Sequence, residues 1–333
     1  MDDNSLRKLR EINKIKDFID YIRPYYPDIN ITKETISDIE KALFHIYIKL
    51  IGRILYYSPE HMRKFLKAFL LKYEIKNILE IIIGSIIGKS RRDKEKNINF
   101  LVEDYLEKTD FINDLLEMTS LDEIQFFLKN TKYYTAIREG ILYFRNNDEI
   151  FVLEAFLDRL YYENLIKSEI IYKKQEKAMI TLFIDYKTEI YNLNMIYRGI
   201  RNKIDKNLLS QFLIKNYLFL NEEKIKILLN SKNANEFFVK LEEYLRKIDE
   251  LKLLFIPIVL NERHLKWSLE GLYQNFYFKK FQVKIDDISY LTIYRILELI
   301  LKKEKEIIFD IMPNIIKLLH DKYETLEDRY GNI

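Results

Sequence analysis

The chain has 333 residues, and its 55 Lys and Arg against 52 Asp and Glu give a net charge of +3, which does not indicate wholesale nucleic-acid binding. Only 7 Gly and 5 Pro are present, too few for the turns of an all-β sandwich or for a Gly-rich phosphate-binding fold. The absence of Cys excludes disulfide scaffolds, thiol nucleophiles and Cys-ligated metals.

Hydrophobic spacing predicts helices along nearly the whole chain. Residues 75–82, for example, carry apolar side chains at i, i+3, i+4 and i+7. Start signals recur: Pro59 is expected in a first helical position, and Ser120 with Glu123 has the pattern of a capping box. No apolar run approaches the ~20 residues of a spanning helix, and the charged N-terminal segment is not a signal peptide. We therefore expect a soluble, all-α protein.

Ordered elements repeat along the chain at a nearly constant period. The first is a stripe at i, i+3, i+7 and i+11, found as Glu40, Leu43, Tyr47, Ile51; as Glu154, Leu157, Tyr161, Leu165; and as Glu270, Tyr273, Tyr277, Phe281. The second contains Glu74, Asn77 and Gly84, returns 115 residues later as Glu189, Asn192 and Gly199, and has a weak third copy at Glu306. The third pairs Phe126 with Tyr133 and Phe237 with Tyr244.

These repeats predict three similar helical domains, at residues 1–110, 111–222 and 223–333. Units of this length exceed the single helix pairs of common helical repeats. Three such units either close around a pseudo-threefold axis or stack as an arc.

The second repeated element carries a polar stripe that has two interpretations. Glu and Asn on one helix face suit hydrogen bonds to a neighbouring segment, and Gly allows close approach. We therefore favour a structural latch, made by Glu74, Asn77, Gly84, Glu189, Asn192 and Gly199, over a catalytic site.

A basic run follows each of the two clear copies of this element. Lys89, Arg91 and Arg92, with Lys94 and Lys96, follow the first, while Arg198, Arg201 and Lys203 follow the second. The helix dipole favours cations at helix C-termini, so both basic runs can be explained without assigning them a function. Because the runs recur at matching positions, a docking surface for an acidic partner is an equal alternative.

Catalytic and metal sites are not indicated. The four His residues (His45, His61, His264 and His320) are scattered, and no zinc-protease, P-loop or nucleophile-elbow motif occurs. We predict no catalytic residue, no metal and no cofactor.

Three stretches of the chain resemble a known family. They are residues 64–78, with the sequence KFLKAFLLKYEIKNI; residues 154–162, with EAFLDRLYY; and residues 189–193, with EIYNL, followed by Arg198-Gly199. Together they resemble the C-type component of archaeal and bacterial A/V-type rotary ATPases, which is equivalent to the d-type component of the eukaryotic V-ATPase. The resemblance covers roughly residues 15–315.

This resemblance implies a non-enzymatic protein in which three helical domains form a funnel. Such a protein is monomeric within its complex, binds no nucleic acid and is peripheral to the cytoplasmic face of the membrane. It joins the central shaft subunits, of D and F type, to the membrane rotor ring during proton or sodium transport. The alternative is a helical-repeat scaffold that binds nucleic acid or a peptide in an open arc.

Overall fold

The computed structural model describes residues 1–31, 35–172, 174–252, 265–281 and 288–319. These residues contain helices and no β-strand. The α-helices are α1 (Asp3–Leu9), α2 (Ile15–Ile22), α3 (Ile36–Tyr57), α4 (Glu60–Ile86), α5 (Arg91–Glu95), α6 (Phe100–Leu106), α7 (Thr109–Glu117), α8 (Leu121–Phe127), α9 (Tyr134–Asn147), α10 (Phe151–Lys167), α11 (Lys174–Arg201), α12 (Lys206–Phe212), α13 (Glu222–Leu229), α14 (Ala234–Arg246), α15 (Asp249–Lys252), α16 (Leu265–Phe281) and α17 (Ile288–Lys305). A π-helix (Glu306–Ile311) follows α17 and leads into helical residues 312–319. The all-α prediction is confirmed for the described residues.

Local sequence signals explain where individual helices begin. Ser120 accepts the backbone N–H of Glu123, whose carboxylate returns to the Ser120 N–H, so the predicted capping box is formed. Pro59, expected in the first turn of α4, is instead the N-cap residue before it. Its extended ψ of 160° keeps it outside the helix, while its carbonyl accepts the first helical bond, from the Arg63 N–H at 2.9 Å.

The contacts divide the chain into two units. The first combines Met1–Tyr57 with the described part of Arg295–Ile333, so segments from both ends of the chain pack together. Its core includes Leu43 and Tyr47 of α3 and Leu297 of α17, all buried.

The second unit, Ser58–Tyr294, is built around the two longest helices, α4 and α11. Helix α10 packs on both of them, and α16 packs on α11. Aromatic rings join these helices: Phe183 of α11 lies 5.6 Å from Phe65 of α4 and 6.5 Å from Tyr277 of α16, measured between ring centroids. The stripe tyrosines Tyr161 and Tyr277 are buried, as their spacing on one helix face predicts.

Candidate functional site

Asn77 ties helix α4 to the start of α6. Its side-chain Nδ2 donates to the backbone carbonyl of Asn99 at 3.1 Å and to Glu103 Oε1 at 2.7 Å. The Asn99 N–H donates back to Asn77 Oδ1 at 3.0 Å. Asn77 is 3% exposed, so each of these bonds satisfies a polar group that is shielded from water.

Asn192 makes the same pair of backbone bonds from α11. Its Nδ2 donates to the Ile214 carbonyl at 2.8 Å, and its Oδ1 accepts the Ile214 N–H at 2.8 Å. In both cases the partner lies 22 residues after the Asn. Two buried asparagines, 115 residues apart, therefore hold equivalent segments in the same way.

The buried carboxylates one turn earlier have different partners. Glu74 Oε1 accepts the Lys108 ammonium at 2.5 Å. Glu189 Oε2 instead accepts three consecutive backbone N–H groups, of residues 218–220, at 2.7 to 3.0 Å, and its Oε1 accepts the Tyr273 hydroxyl. Burial raises the pKa of Glu189, while these hydrogen bonds favour its charged form.

The two glycines of the polar stripe allow close contacts with side chains ten residues later. A Cβ at Gly84 would lie 2.6 Å from Lys94 Cγ, and one at Gly199 would lie 2.3 Å from Leu209 Cδ2. Both positions therefore require the absence of a side chain.

The last turns of α4 and α11 also match. The Lys89 N–H donates to the Gly84 carbonyl at 2.8 Å, and the Ile204 N–H donates to the Gly199 carbonyl at 2.9 Å. Each turn contains one left-handed residue, Gly88 (φ 69°) in the first and Lys203 (φ 57°) in the second. Such a conformation ends a helix by satisfying its last carbonyls.

Glu306, which the sequence predicts as a weak third copy of this element, lies in the first unit. It is buried and accepts the Tyr26 hydroxyl and the Lys303 ammonium, the latter at 2.8 Å. The Lys303 ammonium also lies 4.4 Å from the centroid of the Tyr26 ring. Burial raises the pKa of Tyr26, and the negative charge of Glu306 adds to that effect.

The six cations expected at a docking surface are exposed, namely Lys89, Arg91, Arg92, Arg198, Arg201 and Lys203. Arg91 and Arg198 also form ion pairs within the chain. Arg91 lies 2.7 Å from Glu117, and Arg198 lies 2.8 Å from Glu154 while its guanidinium stacks on Phe151. Exposed pairs of this kind contribute little to stability.

Three features of this region are not evident from the sequence. Lys94, which the sequence groups with the basic run, is 2% exposed and donates to the Met118 carbonyl at 2.6 Å. Glu103 is completely buried, although a carboxylate in a short helix is usually expected to face solvent. Lys187 and Glu270 form a buried ion pair at 3.0 Å, which joins α11 to α16. The sequence singled out Glu270 as a member of a repeated stripe, but it did not indicate Lys187 as its partner.

The described residues hold no cluster of three or more His, Cys, Asp or Glu side chains that could bind a metal ion. His264 and His320 lie outside the described residues. In the same part of the chain, every helix is too short or too polar to cross a lipid bilayer.

A family model for the ATP synthase (C/AC39) subunit matches residues 1–308. The chain belongs to this family. The resemblance drawn from residues 64–78, 154–162 and 189–193 is thereby confirmed, and the buried face of α4 and α11 described above is part of an ATP synthase (C/AC39) subunit.

Individual relatives carry a matching description. The C-type component of the A-type ATP synthase of Methanocaldococcus jannaschii is 26% identical over 236 residues, which is 69% of this chain and 58% of that protein. Its counterparts in Methanothermobacter thermautotrophicus and Thermococcus kodakarensis are 22% and 23% identical, over 84% and 89% of this chain and 72% and 75% of theirs. The match to the Methanocaldococcus jannaschii protein thus spans less than two thirds of its length.

Proposed function

We propose that this chain is a non-catalytic central-stalk subunit of an A/V-type rotary ATPase. In this role it couples the rotating shaft to the membrane rotor ring during proton or sodium transport. The observation that carries the proposal is the family match over residues 1–308, together with relatives described as C-type components of A-type ATP synthases. The chain is then peripheral to the cytoplasmic face of the membrane and monomeric within the complex.

The proposal includes three similar helical domains, at residues 1–110, 111–222 and 223–333, arranged as a pseudo-threefold funnel. It is supported by the contacts that recur at a shift of 115 residues: the Asn77 and Asn192 bonds, the Gly84 and Gly199 contacts and the matching helix ends. The buried Glu306, with its tyrosine partner, is the remnant of the third copy. Glu74, Asn77, Gly84, Glu189, Asn192 and Gly199 then act as a structural latch, not as a catalytic site.

The basic turns at the ends of α4 and α11 are the proposed docking surface for the shaft subunits, of D and F type. They present exposed cations at matching places of two repeated segments. A rotor component must hold its shaft yet assemble reversibly, and charge complementarity over a modest area suits that requirement.

The experiment is a binding titration of the purified chain against its own D and F type shaft complex at low and at high salt, on the order of 0.05 and 0.3 M. The test variant changes Lys89, Arg92 and Lys203 to Gln. Arg91, Arg198 and Arg201 are left in place because each interacts with other groups of the chain. The matched control changes three other exposed cations to Gln, namely Lys16, Lys129 and Lys317.

We expect the wild-type chain to bind the shaft more weakly at high salt, because the screening length falls below about 10 Å above 0.1 M. The test variant should lose about tenfold or more in affinity at low salt, while the control variant should lose less than about threefold. Equal loss in both variants would remove the basic turns from the interface. Binding of single-stranded nucleic acid instead of the shaft would favour the scaffold alternative.

A further inference from the structure

Glu103 is a buried carboxyl whose hydrogen bonds are incomplete. It is 0% exposed, and its Oε1 accepts the Asn77 side chain at 2.7 Å. Its Oε2 has no hydrogen-bond partner among the described residues, and neither has the buried Oδ1 of Asn99 in the same junction. Together with the buried Oε2 of Glu74, the region where α4 meets α6 therefore holds three acceptor oxygens for which the described residues supply no donor. This is an unusual arrangement in a protein interior.

The charged groups around Glu103 do not neutralise it. The Lys108 ammonium binds Glu74 at 2.5 Å and also lies 3.4 Å from the Tyr133 hydroxyl. The charged and titratable groups that face the junction come from α4, from α6 and from the segments just before α7 and α9. They are Glu74, Glu80, Asp104, Lys108, Lys132 and Tyr133. Burial, and to a lesser degree the charge of Glu74, raise the pKa of Glu103 to about 7, against the opposing effects of the Asn77 hydrogen bond and of Lys108.

We propose that the junction between α4 and α6 is a proton-operated joint, in which Glu103 carries a proton while the helices are packed and loses it to solvent when α6 loosens from α4. The protonated carboxyl supplies the donor that the junction otherwise lacks, and removing the proton leaves a buried negative charge beside Glu74. The equivalent junction at Asn192 has no such group, because Leu218 stands 115 residues after Glu103. The joint is therefore a property of the first repeated segment.

The sign of the pH effect follows from this difference between the two states. In the opened segment Glu103 has its ordinary pKa of 4.5, whereas in the packed segment the value is about 7. Between these values the packed state holds a proton that the open state has released, so each pH unit raises the opening constant by about tenfold. Above the higher value the effect levels off, after a total change on the order of 100-fold.

The experiment is hydrogen exchange of the full chain between about pH 5 and pH 8.5, a range that spans the titration of the packed state, after correction for the intrinsic exchange rate. Peptides covering residues 99–108 report the joint, and peptides covering residues 91–96 are an internal control because Lys94 anchors them independently. Glu103→Gln supplies a neutral donor at the same place. Glu107→Gln makes the same chemical change four residues later, at an exposed position.

We expect protection of residues 99–108 in the wild type and in Glu107→Gln to fall on the order of 100-fold between about pH 5 and pH 8. In Glu103→Gln it should vary less than about threefold, because no proton is exchanged there. Equal pH dependence in all three proteins would overturn the proposal. So would a Glu103 carboxyl that titrates at its ordinary pKa in carbon-13 spectra, or protection that depends on the identity of the cation in the buffer and not on pH.

Discussion

Replacing Asn192 by Ala tests the proposed latch at a fully buried residue. The side chain is 0% exposed and satisfies both the N–H and the carbonyl of Ile214 at 2.8 Å. Ala leaves these two backbone groups without partners, and each unsatisfied buried group costs about 1–3 kcal/mol. We therefore expect the free energy of unfolding to fall by about 2–6 kcal/mol, a large part of the ~5–15 kcal/mol of a typical domain.

The assay is urea unfolding followed by circular dichroism, with exchange of the Ile214 amide as the local measure. Asn194→Ala is the matched control, because Asn194 lies two residues along the same helix and donates only to a carbonyl of its own helix, that of Ile190, at 2.9 Å. Asn194→Ala should cost less than about 1 kcal/mol. If the two variants lose the same stability and the Ile214 amide remains protected, the latch interpretation is wrong.

Other substitutions test the packing around α11 and α16. Gly199→Ala should lower stability by about 1–3 kcal/mol because the new Cβ meets Leu209 at 2.3 Å. Gly271→Ala has no atom of the described residues within 4 Å of its Cβ and should raise stability by about 0.5–1 kcal/mol, so the two melting temperatures should move in opposite directions. Lys187→Met should cost about 3–5 kcal/mol by leaving Glu270 buried without its cation, and adding Glu270→Gln should restore part of that loss in a double-mutant cycle.

The spacing of the polar stripe was sufficient to find the right helix face, but not its partners. Glu74, Asn77 and Gly84 share a face because of helical periodicity, which is a local property. Asn77 and Asn192 bond to backbone groups 22 residues later. Because every residue carries the same backbone groups, the amino-acid sequence does not reveal which residue supplies them. Only the folded chain identifies it.

Register and burial were harder to predict where side chains are ambiguous. The two phenylalanines that the sequence aligns, Phe126 and Phe237, lie in different environments, because Phe126 is 77% exposed while Phe237 is fully buried. Lys94 was grouped with exposed cations, yet its aliphatic stem covers Gly84, since a long lysine chain packs on apolar surface as readily as it reaches solvent. Neither outcome is encoded in local periodicity.

The most direct test of the proposed function is affinity purification of this chain from the membranes of its own organism, with the stoichiometry of the recovered proteins measured by mass spectrometry. A component of the central stalk should recover the shaft subunits and the rotor ring, together with the catalytic subunits of the rotary ATPase, at one copy of this chain per complex. Recovery of the folded chain without shaft or ring, under conditions that keep the rotary ATPase intact, would contradict the assignment.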